Sequence, residues 1–255
     1  MLLAIDVGNT QTHLGLFRDE VLVEHWRFAT VREATADELA CLFAGLLELR
    51  GLALGDAGQA IVSSVVPELA HEYEQVSQRY LAGGLAVVGP RLRSGMPIRM
   101  DNPHEVGSDR LVNAVAAYER FGSACVVVDF GTSTNFDVVS TAGEYIGGVL
   151  CPGVEISMEA LFQRAAKLTK VEIEAPRSVI GKNTRAALQS GAVFGSAGLV
   201  DGIVGRVREE LGAPAQAIAT GGLAHAIVPF CEQIDDLDDL LTLTGLRLIW
   251  ERNQA

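Results

Sequence analysis

Residues 2–10 read LLAIDVGNT, and residues 125–134 read CVVVDFGTST. In both stretches an apolar run typical of a buried strand ends in an Asp, and a Gly follows two residues later with hydroxyl side chains behind it. The two Asp residues, Asp6 and Asp129, lie 123 positions apart, close to half of the 255-residue chain. A repeat at that distance predicts two similar domains rather than a solenoid, because solenoid repeats are about 20–50 residues long.

Each copy continues as strand, tight turn and strand, which predicts a mixed α/β architecture in each half. The border is expected between Phe121 and Ala124, which gives an N-terminal domain over 1–122 and a C-terminal domain over 123–255. Apolar runs predict further strands at 61–65, 86–88 and 217–220. Helical periodicity is found at 36–49, 106–121, 157–168, 184–211 (with a break near Gly195 or Gly198) and 245–253.

Composition limits the classes of protein that the chain can represent. Hydrophobic residues make up 49% and charged residues 20%, which is typical of a globular protein with a core. The net charge of −12 argues against a nucleic-acid binder, which needs a basic face to displace counterions. The four cysteines form no CxxC pair, no apolar run reaches about 18 residues, and the first residues lack the basic and apolar pattern expected of a signal peptide. These features predict a cytoplasmic protein without a membrane span.

The first Asp-x-Gly segment has the chemistry of a phosphate loop. Gly8 permits a tight turn and lets a phosphate oxygen approach the backbone amides, while Asn9, Thr10 and Thr12 add side-chain donors. Asp6, at the strand end, is a candidate ligand for Mg²⁺, directly or through water. The segment is not a P-loop, because GxxxxGK[ST] is absent. An ordinary hairpin, with Asp and Asn serving turn chemistry, is the alternative for either copy taken alone.

The second segment is richer in hydroxyl groups. Thr132, Ser133 and Thr134 are candidate donors to phosphate oxygens, and Asp129 is a candidate cation ligand. Two such loops, facing each other from two domains, are expected to clamp the phosphate chain of ATP.

The paired loops resemble the phosphate motifs of the acetate and sugar kinase, Hsp70 and actin superfamily. Within it, the chain resembles type III pantothenate kinase over nearly its whole length. The stretches that carry this resemblance are IDVGNTQTHLGLF at 5–17, DNPHEVGSDRLVNAVAA at 101–117, VVVDFGTSTNFDVV at 126–139, YIGGVLCPGV at 145–154, IGKNTRAALQSGAVFGSAGLVDGIV at 180–204 and ATGGLA at 219–224.

The resemblance implies duplicated actin-like (ribonuclease H-like) domains, with mixed sheets flanked by helices. It also implies ATP-dependent phosphorylation of pantothenate to 4′-phosphopantothenate, the first step toward coenzyme A. The implied cofactors are ATP, Mg²⁺ and a monovalent cation, K⁺ or NH₄⁺, held by Asp129. The implied assembly is a homodimer, for which the apolar helix at 186–204 offers either an interface or plain core packing.

Residue roles follow from the matched motifs. Asp109 is implied to be the catalytic general base that takes the proton of the alcohol. The implied substrate-binding residues are Met100, Gly107, Ser108, Asp109, Arg110 and Thr184. The implied ATP or phosphate contacts are Asp6, Val7, Gly8, Asn9, Thr10, Gln11, Thr12, His13, Gly131, Thr132, Ser133, Thr134, Gly221 and Gly222.

Simpler interpretations of the substrate motif stay open at this point. Asp109 and Arg110 suit any helix start, and either Asn183 or Thr184 suits an N-cap. The chain departs from the family pattern at Met100 where Tyr is usual, at Ser108 where Ala is common, and at Asn135 where Thr is common. The competing functions are a non-catalytic transcriptional accessory relative and a superfamily kinase acting on another small alcohol.

Overall fold

The structure is a computed structural model that describes residues 1–165 and 168–254. Its strands are β1 (Leu2–Val7), β2 (Gln11–Arg18), β3 (Val21–Ala29), β4 (Gln59–Ser64), β5 (Leu85–Val87), β6 (Cys125–Phe130), β7 (Ser133–Val139), β8 (Tyr145–Pro152), β9 (Gln216–Thr220) and β10 (Asp236–Leu237). Its α-helices are α1 (Ala36–Glu48), α2 (Pro67–Tyr80), α3 (Ser108–Phe121), α4 (Val154–Arg164), α5 (Thr184–Leu211), α6 (Ala224–Ile227) and α7 (Leu241–Glu251).

One compact unit comprises residues 1–96, 102–116 and the chain from 241 onward. Its sheet has the order β3-β2-β1-β4-β5, with β1 antiparallel to β2 and parallel to β4. The central strand β1 is apolar on both faces because helices cover both sides of the sheet. Residues of α1 and α2, including Phe43 and Tyr73, complete its core, and α7 packs against β1, β2 and β4.

The second unit comprises residues 97–101 and 117–240. Its sheet has the order β10-β9-β6-β7-β8, so β6 to β10 repeat the arrangement of β1 to β5. As in the first unit, the leading strand is antiparallel to the next strand and parallel to the fourth. Its core is formed by β6, β7, β9 and one side of α5.

The predicted fold class is confirmed, while some element boundaries differ from the predictions. Helix α5 continues through Gly195 and Gly198. An α-helix is held by hydrogen bonds between backbone N–H and C=O groups, and a glycine supplies both of these groups although it has no side chain. Residues 166 and 167 of the helix predicted at 157–168 lie outside the described residues. Helix α2 was missed because its sequence is mostly polar, with three buried apolar side chains at helical spacing: Leu69, Tyr73 and Val76.

The units divide the chain differently from the single border expected near residue 122. Helix α3 contributes its first nine residues to the first unit and its end to the second, and α7 belongs to the first unit. The division into domains 1–122 and 123–255 stays a prediction.

Among the described residues, one helix, α5, is long and apolar enough to cross a membrane by length and composition. Helices in the core of a globular protein meet the same criterion. Here Ala192, Ala197, Val200 and Val204 of α5 pack into the apolar core of the second unit.

The close packing of α7 on α3 yields a test of the first unit. A Cβ at Gly245 would lie 2.2 Å from the carbonyl oxygen of Val112. We therefore expect Gly245→Ala to lower the free energy of unfolding by about 1–3 kcal/mol, as overpacking does. Gly45→Ala is the control, because a Cβ there meets nothing within 4 Å in α1, and it should stabilise by about 0.5–1 kcal/mol. Urea denaturation measures both, and equal effects would contradict the packing argument.

Candidate functional site

The first Asp-x-Gly segment is the hairpin that joins β1 to β2. The N–H of Gly8 donates to the carbonyl oxygen of Gln11 at 3.1 Å. A Cβ at Gly8 would lie 2.9 Å from the same oxygen, so the turn has no room for a side chain. Asn9, Thr10 and Gln11 are exposed at the tip, while Val7 is buried. The tip therefore presents backbone and side-chain donors to solvent, as phosphate binding requires.

Other predicted nucleotide contacts in this hairpin already have protein neighbours. The Asn9 side-chain oxygen accepts a hydrogen bond from Arg32 at 3.1 Å. The Nε2 atom of His13 accepts a hydrogen bond from Nε of Arg27. Thr12 is 1% exposed, and its hydroxyl lies 2.9 Å from that of Thr30. Thr12 is thus placed as an internal support of the hairpin rather than at its surface.

Tyr73 lies in the core beneath this hairpin and was not expected from the sequence. Burial raises its pKa to about 12, with the Asp6 carboxylate adding to the increase and the neighbouring Thr12 hydroxyl partly opposing it. The phenol therefore stays neutral over the physiological range. Its position on α2, a polar helix, left no motif by which to recognise it.

The second hairpin, between β6 and β7, is built in the same way but is one residue shorter. The N–H of Gly131 donates to the carbonyl oxygen of Ser133 at 3.0 Å, and Gly131 and Thr132 are exposed. Ser133 hydrogen-bonds Asn135 through their side chains at 2.7 Å, and Thr134 is buried like Thr12.

Glycines from other elements approach this second hairpin closely. A Cβ at Gly153 would lie 2.2 Å from the carbonyl oxygen of Thr132. Gly221 has φ of +97°, and a Cβ there would lie 2.6 Å from Oδ1 of Asp129. The structure therefore brings Asp129, Gly131 and Gly221 together, and Gly222 follows as an exposed residue, while their shared role in ATP binding stays a prediction. The role of Gly153 was missed because only strand pairing places it beside the hairpin.

Asp109 lies in the first turn of α3, where Gly107 leaves room for its carboxylate. A Cβ at Gly107 would lie 2.5 Å from Oδ1 of Asp109. That oxygen accepts a hydrogen bond from the backbone N–H of Arg110 at 2.8 Å. Burial raises the pKa of Asp109 above its ordinary value, outweighing the lowering effects of this hydrogen bond and of the Arg110 charge. A raised carboxyl pKa suits a general base that works near neutral pH.

Ser108, the departure from the usual Ala, ties the start of α3 to β4. The hydroxyl of Ser63 hydrogen-bonds that of Ser108 at 2.9 Å, and Ser108 donates to the carbonyl oxygen of Ser64 at 3.2 Å. The extra hydroxyl thus fixes the backbone immediately before Asp109 instead of leaving a free donor.

Met100 lies in a short segment that is held by the second sheet. The carbonyl oxygen of Pro97 accepts from the N–H of Tyr145, and the N–H of Arg99 donates to the carbonyl oxygen of Tyr145, both at 2.8 Å. Tyr145 is itself anchored, because its hydroxyl donates to the buried carboxylate of Asp137 at 2.6 Å. Met100 is partly buried at this position.

The ambiguity at the start of α5 is resolved. Asn183 is the N-cap, and its side-chain oxygen accepts from the N–H of Ala186 at 2.8 Å. Thr184 is the first helical residue and is exposed. Its hydroxyl is therefore not required for capping.

Each hairpin offers one carboxylate as a candidate cation ligand. Residues 1–165 and 168–254 contain no cluster of three or more His, Cys, Asp or Glu side chains that could hold a metal ion. Asp6 and Asp129 each stand at a hairpin base beside exposed backbone. Because Mg²⁺ is commonly held by one or two carboxylates together with substrate phosphates, each of these carboxylates within its own unit has the chemistry of a candidate magnesium ligand.

Two mixed five-stranded sheets of the same order, each with an Asp-x-Gly hairpin between its first two strands, define the duplicated actin-like class of protein. A solved structure described as a putative Baf family transcriptional activator from Campylobacter jejuni covers 99% of this chain and 98% of its own, with a TM-score of 0.61 and 17% identity. The ROK hexokinase from Thermus thermophilus covers 100% and 99%, with a TM-score of 0.52 and 13% identity. At such identities the similarity concerns the fold.

Sequence comparison narrows the class to one family. The model of type III pantothenate kinase matches residues 2–206. The type III pantothenate kinase of Myxococcus xanthus is 51% identical over 255 residues, covering 100% of both chains. That of Acidothermus cellulolyticus is 54% identical over 254 residues, covering 99% of both. The chain therefore belongs to the type III pantothenate kinase family.

The raised pKa of Asp109 yields a test that needs no substrate. The folded state holds the Asp109 proton more tightly than the unfolded state does. The ionised carboxylate therefore destabilises the folded state at pH values above its raised pKa, and this destabilisation is absent at pH values below the ordinary pKa of 3.8. We expect the free energy of unfolding of the Asp109→Asn variant, minus that of the parent protein, to increase as the pH rises from about 4 to 7. Urea denaturation of both proteins at several pH values measures this difference. A difference that is constant or falls over that range would contradict the assignment.

Proposed function

We propose that this chain transfers the γ-phosphoryl group of ATP to the 4′-hydroxyl of pantothenate, the first step toward coenzyme A. The observation that carries the proposal is the partly buried carboxylate of Asp109 in the first turn of α3, where Gly107 has no side chain to obstruct it. Support for the substrate comes from the family to which the chain belongs.

In the proposed reaction, Asp109 takes the proton of the pantothenate 4′-hydroxyl. The alcohol oxygen forms a bond to the γ-phosphorus as the bond to the β-phosphate oxygen breaks, releasing ADP. A primary alcohol is a weak nucleophile, so a carboxylate within hydrogen-bond reach contributes by orienting and deprotonating it. Its raised pKa makes that carboxylate a stronger base than an exposed Asp.

The two Asp-x-Gly hairpins are proposed to bind the ATP phosphates. Support comes from their exposed tips, which carry backbone amides together with Thr10 and Thr132, and from the partly buried Ser133 next to the second tip. Asp6 would hold Mg²⁺, directly or through water, and Asp129 a monovalent cation, K⁺ or NH₄⁺. These ions would offset the phosphate charge.

Around the alcohol, Arg110 is proposed to pair with the substrate carboxylate, for which its planar guanidinium is suited. Thr184 and Met100 are proposed as further substrate contacts, together with the backbone of Gly107 and Ser108. Gly221 and Gly222 are proposed to lie against the adenosine. A Met in place of Tyr at position 100 removes a hydroxyl, so its effect is expected on substrate affinity rather than on chemistry.

Asp109→Asn tests the catalytic role. Because asparagine is nearly isosteric but cannot accept the proton, we expect turnover to fall by about 10²–10⁴-fold while ATP affinity stays within about twofold. A coupled ADP-release assay with pantothenate, Mg²⁺ and K⁺ measures turnover, and calorimetric titration measures ATP binding. Near-normal turnover in the variant would refute the assignment of the base.

The same assay with the parent protein distinguishes the competing functions. A non-catalytic transcriptional accessory protein would release no ADP with any alcohol. A kinase for another substrate would release ADP with a sugar or a short hydroxy acid in place of pantothenate.

Replacing K⁺ by Na⁺ in the active reaction tests whether the reaction requires the proposed monovalent cation.

We also propose that the chain is a homodimer that forms through the second unit. Support comes from large apolar side chains that this unit exposes on β8, on α4 and in the segment before α5. They are Ile146, Leu150, Ile156, Leu161, Val179 and Ile180. Apolar side chains of this kind are commonly buried in homodimer interfaces.

Leu150→Glu tests this surface. Leu150 is 63% exposed on the edge strand β8, and a carboxylate there would have to be desolvated in an interface. We expect light scattering after size-exclusion chromatography to show a monomer. Val21→Glu is the matched control, because Val21 is 67% exposed on edge strand β3 of the first unit, and it should leave the dimer intact. A monomeric parent protein, or a dimeric Leu150→Glu variant, would contradict the proposal.

A cytoplasmic location is proposed on the same grounds as the reaction, because ATP and K⁺ are abundant there. The four cysteines, Cys41, Cys125, Cys151 and Cys231, are all free thiols, which agrees with a reducing compartment.

A further inference from the structure

Thr30, the residue that follows β3, makes three hydrogen bonds with the first hairpin. Its hydroxyl donates to the carbonyl oxygen of Gly8 at 2.8 Å. Because the hydroxyl proton of Thr30 is used in that bond, the hydroxyl oxygen of Thr30 accepts a hydrogen bond from the hydroxyl of Thr12, 2.9 Å away. Its backbone N–H donates to the carbonyl oxygen of Thr10 at 3.0 Å. One residue thus holds the hairpin at three points.

These bonds determine the direction of backbone donors at the tip. In a trans peptide the N–H points opposite to the carbonyl of the preceding residue. Fixing the Gly8 carbonyl therefore orients the N–H of Asn9, and fixing the Thr10 carbonyl orients the N–H of Gln11. Amides that bind an anion gain from being oriented in advance, because no reorganisation is then needed on binding.

The second unit offers an internal comparison. Its β7–β8 register pairs Ser133 with Pro152, as the β2–β3 register pairs Gln11 with Ala29. Gly153 is therefore the structural counterpart of Thr30. It supports its hairpin by direct backbone contact, since a Cβ there would lie 2.2 Å from the Thr132 carbonyl oxygen. The longer first hairpin instead uses a side chain to fill this position.

We propose that Thr30 is a positioning residue that sets the backbone of the first hairpin for nucleotide binding. The proposal rests on the function proposed above, because it takes this hairpin as a phosphate-binding element. Thr30 acts through Gly8, Thr10 and Thr12, and we assign it no contact with the nucleotide.

Thr30→Val tests the proposal, because valine keeps the shape of threonine and its β-branching but lacks the hydroxyl. We expect ATP affinity, measured by calorimetric titration with Mg²⁺, to fall about tenfold, because two partly buried hydrogen bonds that orient the tip are lost. The KM for ATP should rise similarly, with the KM for pantothenate within about twofold. In the nucleotide-free protein, amide hydrogen exchange over residues 8–12 should be about tenfold faster. Thr30→Ser, which keeps the hydroxyl, should restore all three.

Thr242→Val is the matched control. It removes a hydroxyl hydrogen bond of the same unit, from Thr242 to Asn113 at 2.7 Å, and belongs to α7 rather than to the hairpin. It should lower thermal stability without changing exchange over 8–12 or ATP affinity. If Thr30→Val leaves exchange and ATP affinity unchanged, or Thr30→Ser fails to restore them, the positioning role is wrong. If the parent releases no ADP with pantothenate, the proposed function fails, while exchange and ATP titration still decide the role of Thr30.

Discussion

Tight closure of the two Asp-x-Gly hairpins is the constraint on which the proposed site depends. The amides of Gly8 and Gly131 each bond back to a carbonyl within the same turn, at 3.1 and 3.0 Å. The apolar strands β1 and β6 anchor these turns in the two cores, and glycine allows the backbone to close. The fold therefore holds the tips in place through burial of the strands behind them.

The two units reach this arrangement with different supports. The second hairpin is packed by glycines, Gly153 and Gly221, whose lack of a side chain allows close backbone approach. The first is held by hydroxyl groups, with the buried phenol of Tyr73 below. Duplication thus preserved the strand order and the turn, while the contacts around each turn diverged.

Local sequence was sufficient for a duplicated mixed α/β architecture, whereas the roles of the site residues came from the family resemblance and stay predictions. The repeated strand and hairpin were recognisable because alternation, turn residues and apolar runs act over short distances. Helix α2 was missed because three apolar residues among polar ones give a weak periodic signal. The supports Thr30, Gly153 and Ser63 were missed for another reason: each meets its hairpin or helix only through strand pairing or tertiary packing, which no local pattern encodes.

The support of the first hairpin by Thr30 also limits how far this element behaves as a module. The bonds run from the end of β3 to the tip between β1 and β2, so the structural unit that fixes this tip extends well beyond the Asp-x-Gly motif. A graft of residues 1–18 into another scaffold would transfer the Asp-x-Gly motif without Thr30, the residue that we propose orients its backbone amides. In engineered chimeras of this fold, a crossover point placed between residues 18 and 30 would therefore separate the first hairpin from the residue that supports it.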